Sequence, residues 1–299
     1  MNSVFKILSS AKNLKPIQYI FIATLCLTNS ATKPFNEKVL IITYSYNEPS
    51  FLVLQQKTFK KFLKDPYEFL VIDDAKDETM AKEIETTCNK LGLTHLRFPQ
   101  HLHTDQYPTI RHTECIKFSL DQRAFDHDGI VIIIDSDMFL IKDLCARDYM
   151  AGNHLVALSQ CRDHVHYISP AIVFIEDTAT APNKRTMDFR PGWIEGKPCD
   201  NGGHMYFYIK NNPSLKTWYF GNGGLQTSGL PKDPQKLKAL GYSDPFIFYL
   251  EKGLRLGGME FYSEYFLHYY AGSNWPGHSP VTVQQKKFAI NGLLNDLTN

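Results

Sequence analysis

The stretch Gly129-Ile-Val-Ile-Ile-Ile-Asp135-Ser136-Asp137-Met-Phe-Leu140 decides the fold of this chain. Its five consecutive β-favouring residues, Ile130 to Ile134, predict a buried strand. The strand must stop at the two aspartates, because an unpaired carboxylate in an apolar interior is very costly. Two carboxylates this close repel each other unless a cation lies between them. Hard divalent ions such as Mg²⁺ and Mn²⁺ prefer such oxygen ligands and are usually held together with substrate phosphates, so the stretch predicts a metal site for a phosphorylated ligand.

The composition of the 299 residues is that of a globular chain. Apolar residues make up 43%, enough for a sizeable core, and the length allows one large α/β domain or two small ones. Lys and Arg (32) nearly equal Asp and Glu (31), so no nucleic-acid partner held by gross positive charge is expected. Aromatic residues, at 13%, are compatible with a carbohydrate-binding groove and equally with an aromatic-rich core.

The six cysteines form no recognisable metal or redox motif. None belongs to a C-x-x-C pair, which argues against a zinc ribbon or a thioredoxin-like site. They are also too sparse for a disulfide framework in a chain of this length, so most are expected to be buried thiols. The cysteines are Cys26, Cys88, Cys115, Cys145, Cys161 and Cys199.

Residues 1–37 have the composition of a leader. Lys6, Lys12 and Lys15 precede an apolar segment, 17–27, which is followed by small residues. This order predicts a signal peptide or a short signal-anchor, with a helix docked on the domain as the alternative. The apolar segment is shorter than the roughly 20 residues that span a bilayer. A functional leader would place the protein in the secretory pathway, in the periplasm or at a membrane, and otherwise the protein would be cytoplasmic.

Apolar runs alternate with helical patterns over the first half of the chain. Strands are predicted at 38–43, 67–72, 94–98 and 130–134, and helices at 51–64, 78–91 and 108–120. Such alternation implies βαβ units, and hence an α/β fold with a mainly parallel, mixed sheet flanked by helices.

The second half of the chain contains shorter β segments, separated by loops rich in Gly, Pro and Asn. They are expected at 154–158, 171–175 and 205–209. No linker or repeat divides the chain, so we expect one domain over 38–299. Its nucleotide-binding half is expected at 38–145 and its acceptor half at 146–299.

Polar clusters follow three of the predicted strands. They are Thr43–Asn47, Asp73-Asp74 and Asp135–Asp137. Because ligands in open α/β sheets bind beyond the carboxyl ends of the strands, all three clusters are expected at one edge of the sheet. Their convergence predicts a binding site more strongly than any one cluster does.

A late segment, Phe266 to His278, carries a second candidate constellation. His268 follows aromatic residues, and the turn Gly272-Ser273-Asn274 and Trp275 come after it. An imidazole can complete the coordination of Mn²⁺. A glycine at 272 would let backbone N–H groups approach a phosphate closely. The alternative for His268 is a buried, hydrogen-bonded core histidine.

A hydrophobic strand ending in Asp-x-Asp, with a late His before a Gly-containing loop that ends in Trp, resembles the GT-A glycosyltransferases. The pattern is most similar to the glycogenin-like and galactosyltransferase-like group, of the glycosyltransferase family 8 type. The resemblance covers about residues 38–290 in the order of elements, and the two motifs are its specific part. It implies a single, Rossmann-like GT-A domain in which the Asp-x-Asp and the late His hold Mn²⁺ on a nucleotide-sugar diphosphate.

The resemblance also implies roles for individual residues. Asp137 and His268 would bind the metal, and Asp135 would share the metal and touch the ribose. Arg111, near a helix start, would contact the donor sugar or phosphate, or else be a surface arginine. The remaining donor-binding candidates are Thr43, Tyr44 and Asn47 for the base and ribose, Asp73 or Asp74 for the base, and Ser136, Gly272, Ser273, Asn274 and Trp275 around the phosphates.

One position departs from the family. Its late loop often carries a lysine that contacts the diphosphate, whereas this chain has Ser273 and Asn274 there. Lys286 or Lys287 could take its place, or backbone amides could act alone.

Asp200, followed by a Gly-Gly pair, is the candidate on the acceptor side. GT-A enzymes commonly place an acidic or amide residue there, and in an inverting enzyme a carboxylate near the acceptor hydroxyl acts as general base. The alternative is a helix N-cap. Trp193 and Trp218 could stack on a sugar, although core packing is the more common role of such residues.

The sequence thus predicts a glycosyltransferase that moves a hexose from a nucleotide sugar, UDP-linked in preference to GDP-linked, to a glycan, lipid or protein acceptor with Mn²⁺ or Mg²⁺. One alternative is a non-catalytic nucleotide-sugar or glycan-binding module. Another is a metal-dependent phosphatase, although its Asp-x-Asp normally closes the first strand. The sugar, the acceptor and the stereochemistry are left open by the sequence.

Overall fold

The structure is a computed structural model that describes residues 38–105, 107–176, 181–220, 233–257, 259–269 and 279–299. The predicted leader, 1–37, and the loop candidates Gly272, Ser273, Asn274 and Trp275 lie outside these residues. Within the described ranges, no helix combines the length and the apolar character needed to cross a bilayer.

The first half of the domain alternates strands and helices as predicted. Its elements are β1 (Val39–Ser45), α1 (Ser50–Phe62), β2 (Tyr67–Asp73), α2 (Glu78–Leu91), β3 (Thr94–Arg97), α3 (Pro108–Gln122) and β4 (Val131–Asp135). Local signals set the helix ends: the Asp77 carboxylate accepts from the Met80 N–H to cap α2. Gly92, with φ 68°, ends that helix, and Pro108 begins α3.

The second half has shorter elements. They are β5 (Met138–Leu140), α4 (Ala146–Met150), β6 (Leu155–Arg162), β7 (Val165–Ile175), β8 (Gly192–Ile194), β9 (Lys197–Cys199), α5 (Met205–Asn211), β10 (Thr217–Phe220), α6 (Pro234–Ala239), α7 (Asp244–Arg255), β11 (Glu260–Tyr262), β12 (Phe266–His268) and α8 (Pro280–Thr298). Single 3₁₀ turns lie at Gln100–Leu102, Ala124–Asp126 and Lys184–Thr186.

The central sheet has seven strands in the order β10-β6-β7-β4-β1-β2-β3. The strands β4, β1, β2 and β3 are parallel, β7 runs antiparallel to both β4 and β6, and β10 is parallel to β6. The predicted mainly parallel, mixed sheet is therefore confirmed. The chain runs outward from β1 through β2 to β3 and then returns to place β4 on the other side of β1. The strand order thus reverses between β1 and β4, where open sheets leave a crevice.

Both faces of the sheet are buried. Alternate residues of β4 belong to different cores: Ile132 and Ile134 pack on one face, and Val131 and Ile133 on the other. Helices α1 and α2 cover the first face, and α3 and α5 cover the second. Burial on both faces explains why these strands read as unbroken apolar runs. The five cysteines in the described ranges are free thiols, as expected.

The predicted β segment at 205–209 is wrong, because this stretch forms α5. Its aromatic residues favour strands when taken singly. In the structure, however, Met205 and Tyr208 are the buried pair, and this i, i+3 spacing belongs to a helix. A turn through Gly202 and Gly203 precedes the helix and sets its start.

Gly202 is expected to tolerate no side chain. Its φ is 88°, and an added Cβ would lie 1.7 Å from the Ile168 carbonyl oxygen. Gly202→Ala should therefore lower the free energy of unfolding by roughly 3 kcal/mol or more, from backbone strain plus overpacking. Gly196 is a matched control, because it has φ 78° and nothing within 4 Å of an added Cβ. Urea unfolding of Gly196→Ala should show a loss of only about 1 kcal/mol, and equal losses would contradict the assigned contact.

Candidate functional site

A cavity of about 280 Å³ lies at the reversal point between β1 and β4. Tyr44 of β1 and Asp135 of β4 are register partners there, at the carboxyl ends of their strands. The size is near the lower end of usual ligand cavities, which span roughly 300–1,000 Å³. The lining residues are Tyr44, Ser45, Tyr46, Asp74, Lys76, Pro108, Thr109, Arg111, His112, Cys115, Asp135, Ser136, Asp137 and Asn201.

Gln55 holds the Asp135-Ser136-Asp137 turn through hydrogen bonds to its backbone. The side-chain N–H groups of this fully buried residue of α1 donate to the backbone carbonyls of Asp135, at 2.8 Å, and Met138, at 2.9 Å. On the other side, the Tyr269 N–H donates to the Asp137 carbonyl at 2.8 Å. The backbone on both sides of the turn is therefore fixed, and its two carboxylates are presented at the sheet edge.

His268 lies beside Asp137, the other residue that the resemblance names as a metal ligand. The strand β12 pairs with β5 so that His268 is opposite Met138, the residue after Asp137. The imidazole Nε2 lies 3.6 Å from Asp137 Oδ1, and Nδ1 lies 3.1 Å from Glu260 Oε2. Burial opposes the charged imidazole, but the two carboxylates outweigh it and raise the pKa of His268 to about 10. This pocket therefore favours positive charge.

Asp135 faces a second imidazole. The Nε2 atom of His112, on α3, lies 3.2 Å from Asp135 Oδ1. Burial opposes charge on both groups, but their mutual attraction raises the pKa of His112 and lowers that of Asp135. The side-chain amide nitrogen of Asn201 lies 3.4 Å from the His112 Nδ1, and the ring of Tyr44 packs edge-on against the imidazole.

Asp74 and Arg111 form the opposite wall of the cavity. An Arg111 Nη2 donates to Asp74 Oδ1 at 2.7 Å, and both side chains are buried. The His103 Nε2 lies 2.7 Å from the same carboxylate oxygen, and Gln100 bonds both Asp74 and Arg111. Arg111 is therefore not a surface arginine. Its guanidinium also lies 5.8 Å from the centre of the Tyr46 ring.

Five of the predicted site residues that the structure describes do not line the cavity, and His268, which contacts Asp137, is the first of them. Asp73 is fully buried and paired with Arg97 at 2.8 Å, so it is Asp74 that faces the cavity. Thr43 is fully buried within β1, and Asn47 is exposed in the turn beyond it. Asp200 is exposed, and its carboxylate accepts from the Asn201 N–H at 2.8 Å. It does not cap α5, whose N-cap is His204.

Sequence reasoning missed several residues of the site. The lining residues Tyr46, Lys76, His112 and Asn201 were not predicted, although each is a close neighbour of a residue that was. The signal that could have found them was their place in the sequence. Tyr46 and Lys76 lie in or near strand-end clusters, and His112 and Asn201 directly follow the candidates Arg111 and Asp200. Glu260 was also missed, since its place beside His268 depends on the pairing of two three-residue strands.

The predicted metal ligands differ in how closely the structure brings them together. Asp137 and His268 meet, whereas the carboxylate of Asp135 is engaged by His112. In the part of the chain that the structure describes, the group of three potential ligands within 4.8 Å of one another is instead Asp74, His103 and Cys115. The Arg111 cation already neutralises Asp74, which makes that second group a poor cation site.

Comparisons with known proteins find some similarity to solved structures. No family model matches the chain, and no curated protein is significantly similar to it. One similar solved structure is glucosyl-3-phosphoglycerate synthase from Mycobacterium tuberculosis in complex with Mn²⁺, uridine diphosphate and glucosyl-3-phosphoglycerate. It is 15% identical, with 81% of this chain and 88% of that chain covered and a TM-score of 0.39.

A second similar structure is the glycosyltransferase GlyE from Streptococcus pneumoniae TIGR4, at 13% identity and a TM-score of 0.43. The similarity covers 87% of this chain but 63% of GlyE, so the chain spans less than two thirds of that protein. At so low an identity and TM-score, neither similarity carries a conclusion about activity.

Gln55→Leu is expected to lower the free energy of unfolding by about 2 kcal/mol. The change leaves two buried carbonyl groups at the Asp135–Met138 turn without their donor. Urea denaturation measures the loss. The neighbouring Gln56 is half-buried, and its side-chain oxygen accepts a long hydrogen bond from the Tyr67 hydroxyl, at 3.4 Å. Gln56→Leu should therefore change stability by no more than about 0.5 kcal/mol, and similar losses in both variants would contradict the role of Gln55.

Proposed function

We propose that this chain transfers a hexose from a nucleotide sugar to a glycan, lipid or protein acceptor with the help of Mn²⁺ or Mg²⁺. UDP is favoured over GDP as the nucleotide. The observation that carries the proposal is the contact between His268 and Asp137, 3.6 Å apart, because Asp137 lines the cavity where the strand order reverses. The resemblance of the two motifs to GT-A glycosyltransferases supports the same reaction class.

The donor atoms at this edge fit a hard or borderline divalent ion. Asp137 and His268 would hold it directly, with Asp135 as the third side chain of the set. The carboxylates of Asp137 and Glu260 flank His268, so the position stabilises positive charge. A bound ion would supply Lewis-acid stabilisation of the nucleoside diphosphate leaving group.

The opposite wall of the cavity suits the nucleoside. Tyr44 and Asp74 are the predicted nucleoside-binding residues that line it, and Tyr46 adds a second aromatic face. Asp74 is held by Arg111, so its carboxylate is oriented before any ligand binds. Such preorganised hydrogen-bonding groups favour binding, because no side-chain order has to be created on association.

Two side-chain cations, Arg111 and Lys76, line the cavity. Arg111 is buried beside Asp74, and Lys76 is exposed at the cavity rim, 5.9 Å from the centre of the Tyr46 ring. We assign the donor phosphate or sugar contact to Arg111 and a steering role to Lys76. Within the pocket, a cationic side chain binds a phosphate through charge-assisted hydrogen bonds.

The acceptor side is assigned to the turn that follows β9. Asn201 lines the cavity and contacts His112, while Asp200 beside it is exposed. We keep Asp200 as the candidate general base of an inverting reaction, acting on an acceptor hydroxyl that lies within hydrogen-bond reach. Asn201 would orient the sugar or the acceptor.

Calorimetry with UDP and GDP, each with and without Mn²⁺, tests the proposal. We expect Mn²⁺ to strengthen UDP binding in the wild-type protein, and Asp137→Asn to remove that enhancement while the protein stays folded. Asp143→Asn is the matched control, because Asp143 is an exposed aspartate paired with the exposed Lys64. This variant should bind as the wild type does.

The absence of any Mn²⁺-enhanced binding of either nucleotide would refute the metal-dependent reaction. A donor and acceptor screen followed by NMR of the products then separates the remaining functions. Transfer of the sugar supports the proposal, binding without turnover indicates a non-catalytic module, and release of inorganic phosphate indicates a phosphatase.

Lys76→Ala is expected to weaken UDP binding about fivefold, which corresponds to ~1 kcal/mol for one solvent-exposed, charge-assisted contact. The side chain is exposed, so the fold should be unchanged. Lys82→Ala is the control, since Lys82 is also exposed but pairs with Glu85 on α2. Titration at two salt concentrations checks the charge effect, and an unchanged affinity in Lys76→Ala would remove Lys76 from the site.

A further inference from the structure

Glu260 and His268 are brought together by the pairing of three short strands. The small sheet has the order β11-β12-β5. Glu260 of β11 is opposite His268 of β12, and His268 is opposite Met138 of β5. Because Asp137 immediately precedes Met138, the three chemically active side chains Glu260, His268 and Asp137 follow one another across the sheet.

The two nitrogens of His268 face different partners. Nδ1 lies 3.1 Å from Glu260 Oε2, and Nε2 lies 3.6 Å from Asp137 Oδ1. The Tyr262 hydroxyl donates to the same Glu260 oxygen at 2.8 Å and lies 3.4 Å from Nδ1. Glu260 is only 8% exposed. A carboxylate buried this far requires partners, and here it has one on the imidazole and one on the phenol.

We propose that Glu260 is a positioning residue that accepts the Nδ1–H of His268 and thereby presents the Nε2 lone pair to the divalent ion. The inference rests on the proposed function, in which His268 and Asp137 hold that ion. A hydrogen bond at one imidazole nitrogen fixes which nitrogen is left to coordinate, and an anionic acceptor also raises the basicity of the ligand. Tyr262 holds the Glu260 carboxylate in the orientation that this requires.

A merely structural Glu260 would stabilise the β11–β12 pair without affecting the ion. The experiment therefore reads out the ion itself in the full-length protein. Calorimetry gives the Kd of Mn²⁺ in the presence of UDP. Electron spin-echo envelope modulation of bound Mn²⁺ reports the ¹⁴N coupling of a directly coordinated imidazole. A thermal melt of each variant verifies that it is folded.

Glu260→Ala should raise the Kd of Mn²⁺ about 10- to 100-fold, the usual effect of losing such an outer partner, and should remove the ¹⁴N coupling. Glu260→Gln keeps an acceptor for Nδ1–H but loses the charge, so it should retain the coupling and bind about tenfold more weakly. Glu264→Ala is the matched control, because Glu264 lies in the β11–β12 turn as an exposed acid paired with Lys142. It should behave as the wild type.

Wild-type Kd values in both Glu260 variants, or an intact ¹⁴N coupling in Glu260→Ala, would overturn this inference alone. If Glu260→Ala fails to fold, an unchanged Kd in Glu260→Gln has the same meaning. A wild-type protein that binds Mn²⁺ with UDP but shows no ¹⁴N coupling would also overturn it, since His268 would not be a ligand. A wild-type protein that binds no Mn²⁺ would overturn the proposed function as well.

Discussion

The structure of the site depends on one constraint. The buried strand β4 can carry charged residues only at its carboxyl end, and that end lies where the strand order reverses between β1 and β4. Burial on both faces leaves β4 no place for a carboxylate until it reaches the sheet edge. The reversal between β1 and β4 opens a crevice at that same edge. Asp135 and Asp137 therefore enter a partly enclosed cavity instead of bulk water. The turn between them is then fixed by hydrogen bonds from Gln55 and Tyr269.

Each carboxylate of the cavity has its own cationic or imidazole partner. Asp74 is paired with Arg111, Asp135 with His112 and Asp137 with His268. The three pairs differ in what they allow, because arginine keeps its charge under all ordinary conditions while an imidazole can exchange a proton for a metal ion. The Asp74 wall is therefore a permanent feature of the cavity. The Asp135 and Asp137 walls are the ones suited to an exchangeable cation.

The strands β1, β2 and β4 and the helices α1 to α3 could be predicted, because long apolar runs and helical periodicity are local properties of the sequence. The polar strand ends followed from the same runs, and they pointed correctly to the neighbourhood of the cavity. The sequence could not show which of Asp73 and Asp74 faces the cavity, since this depends on the pairing of Asp73 with Arg97 across β2 and β3. The position of Glu260 beside His268 could not be predicted either, because three-residue strands carry no periodic signal.

The geometry around Asn201 and Asp200 bears on the proposed sugar transfer. Asn201 lines the cavity, but an amide can orient a hydroxyl and cannot remove its proton. In the proposed reaction, the proton of the acceptor would therefore pass to a carboxylate or to the departing phosphate. Each carboxylate that lines the cavity faces a positively charged or imidazole group, whereas the exposed Asp200 carboxylate accepts a hydrogen bond from the Asn201 N–H of its own turn. In the proposed reaction, the position of Asp200 relative to a bound acceptor would thus decide whether the protein or the donor phosphate takes the proton.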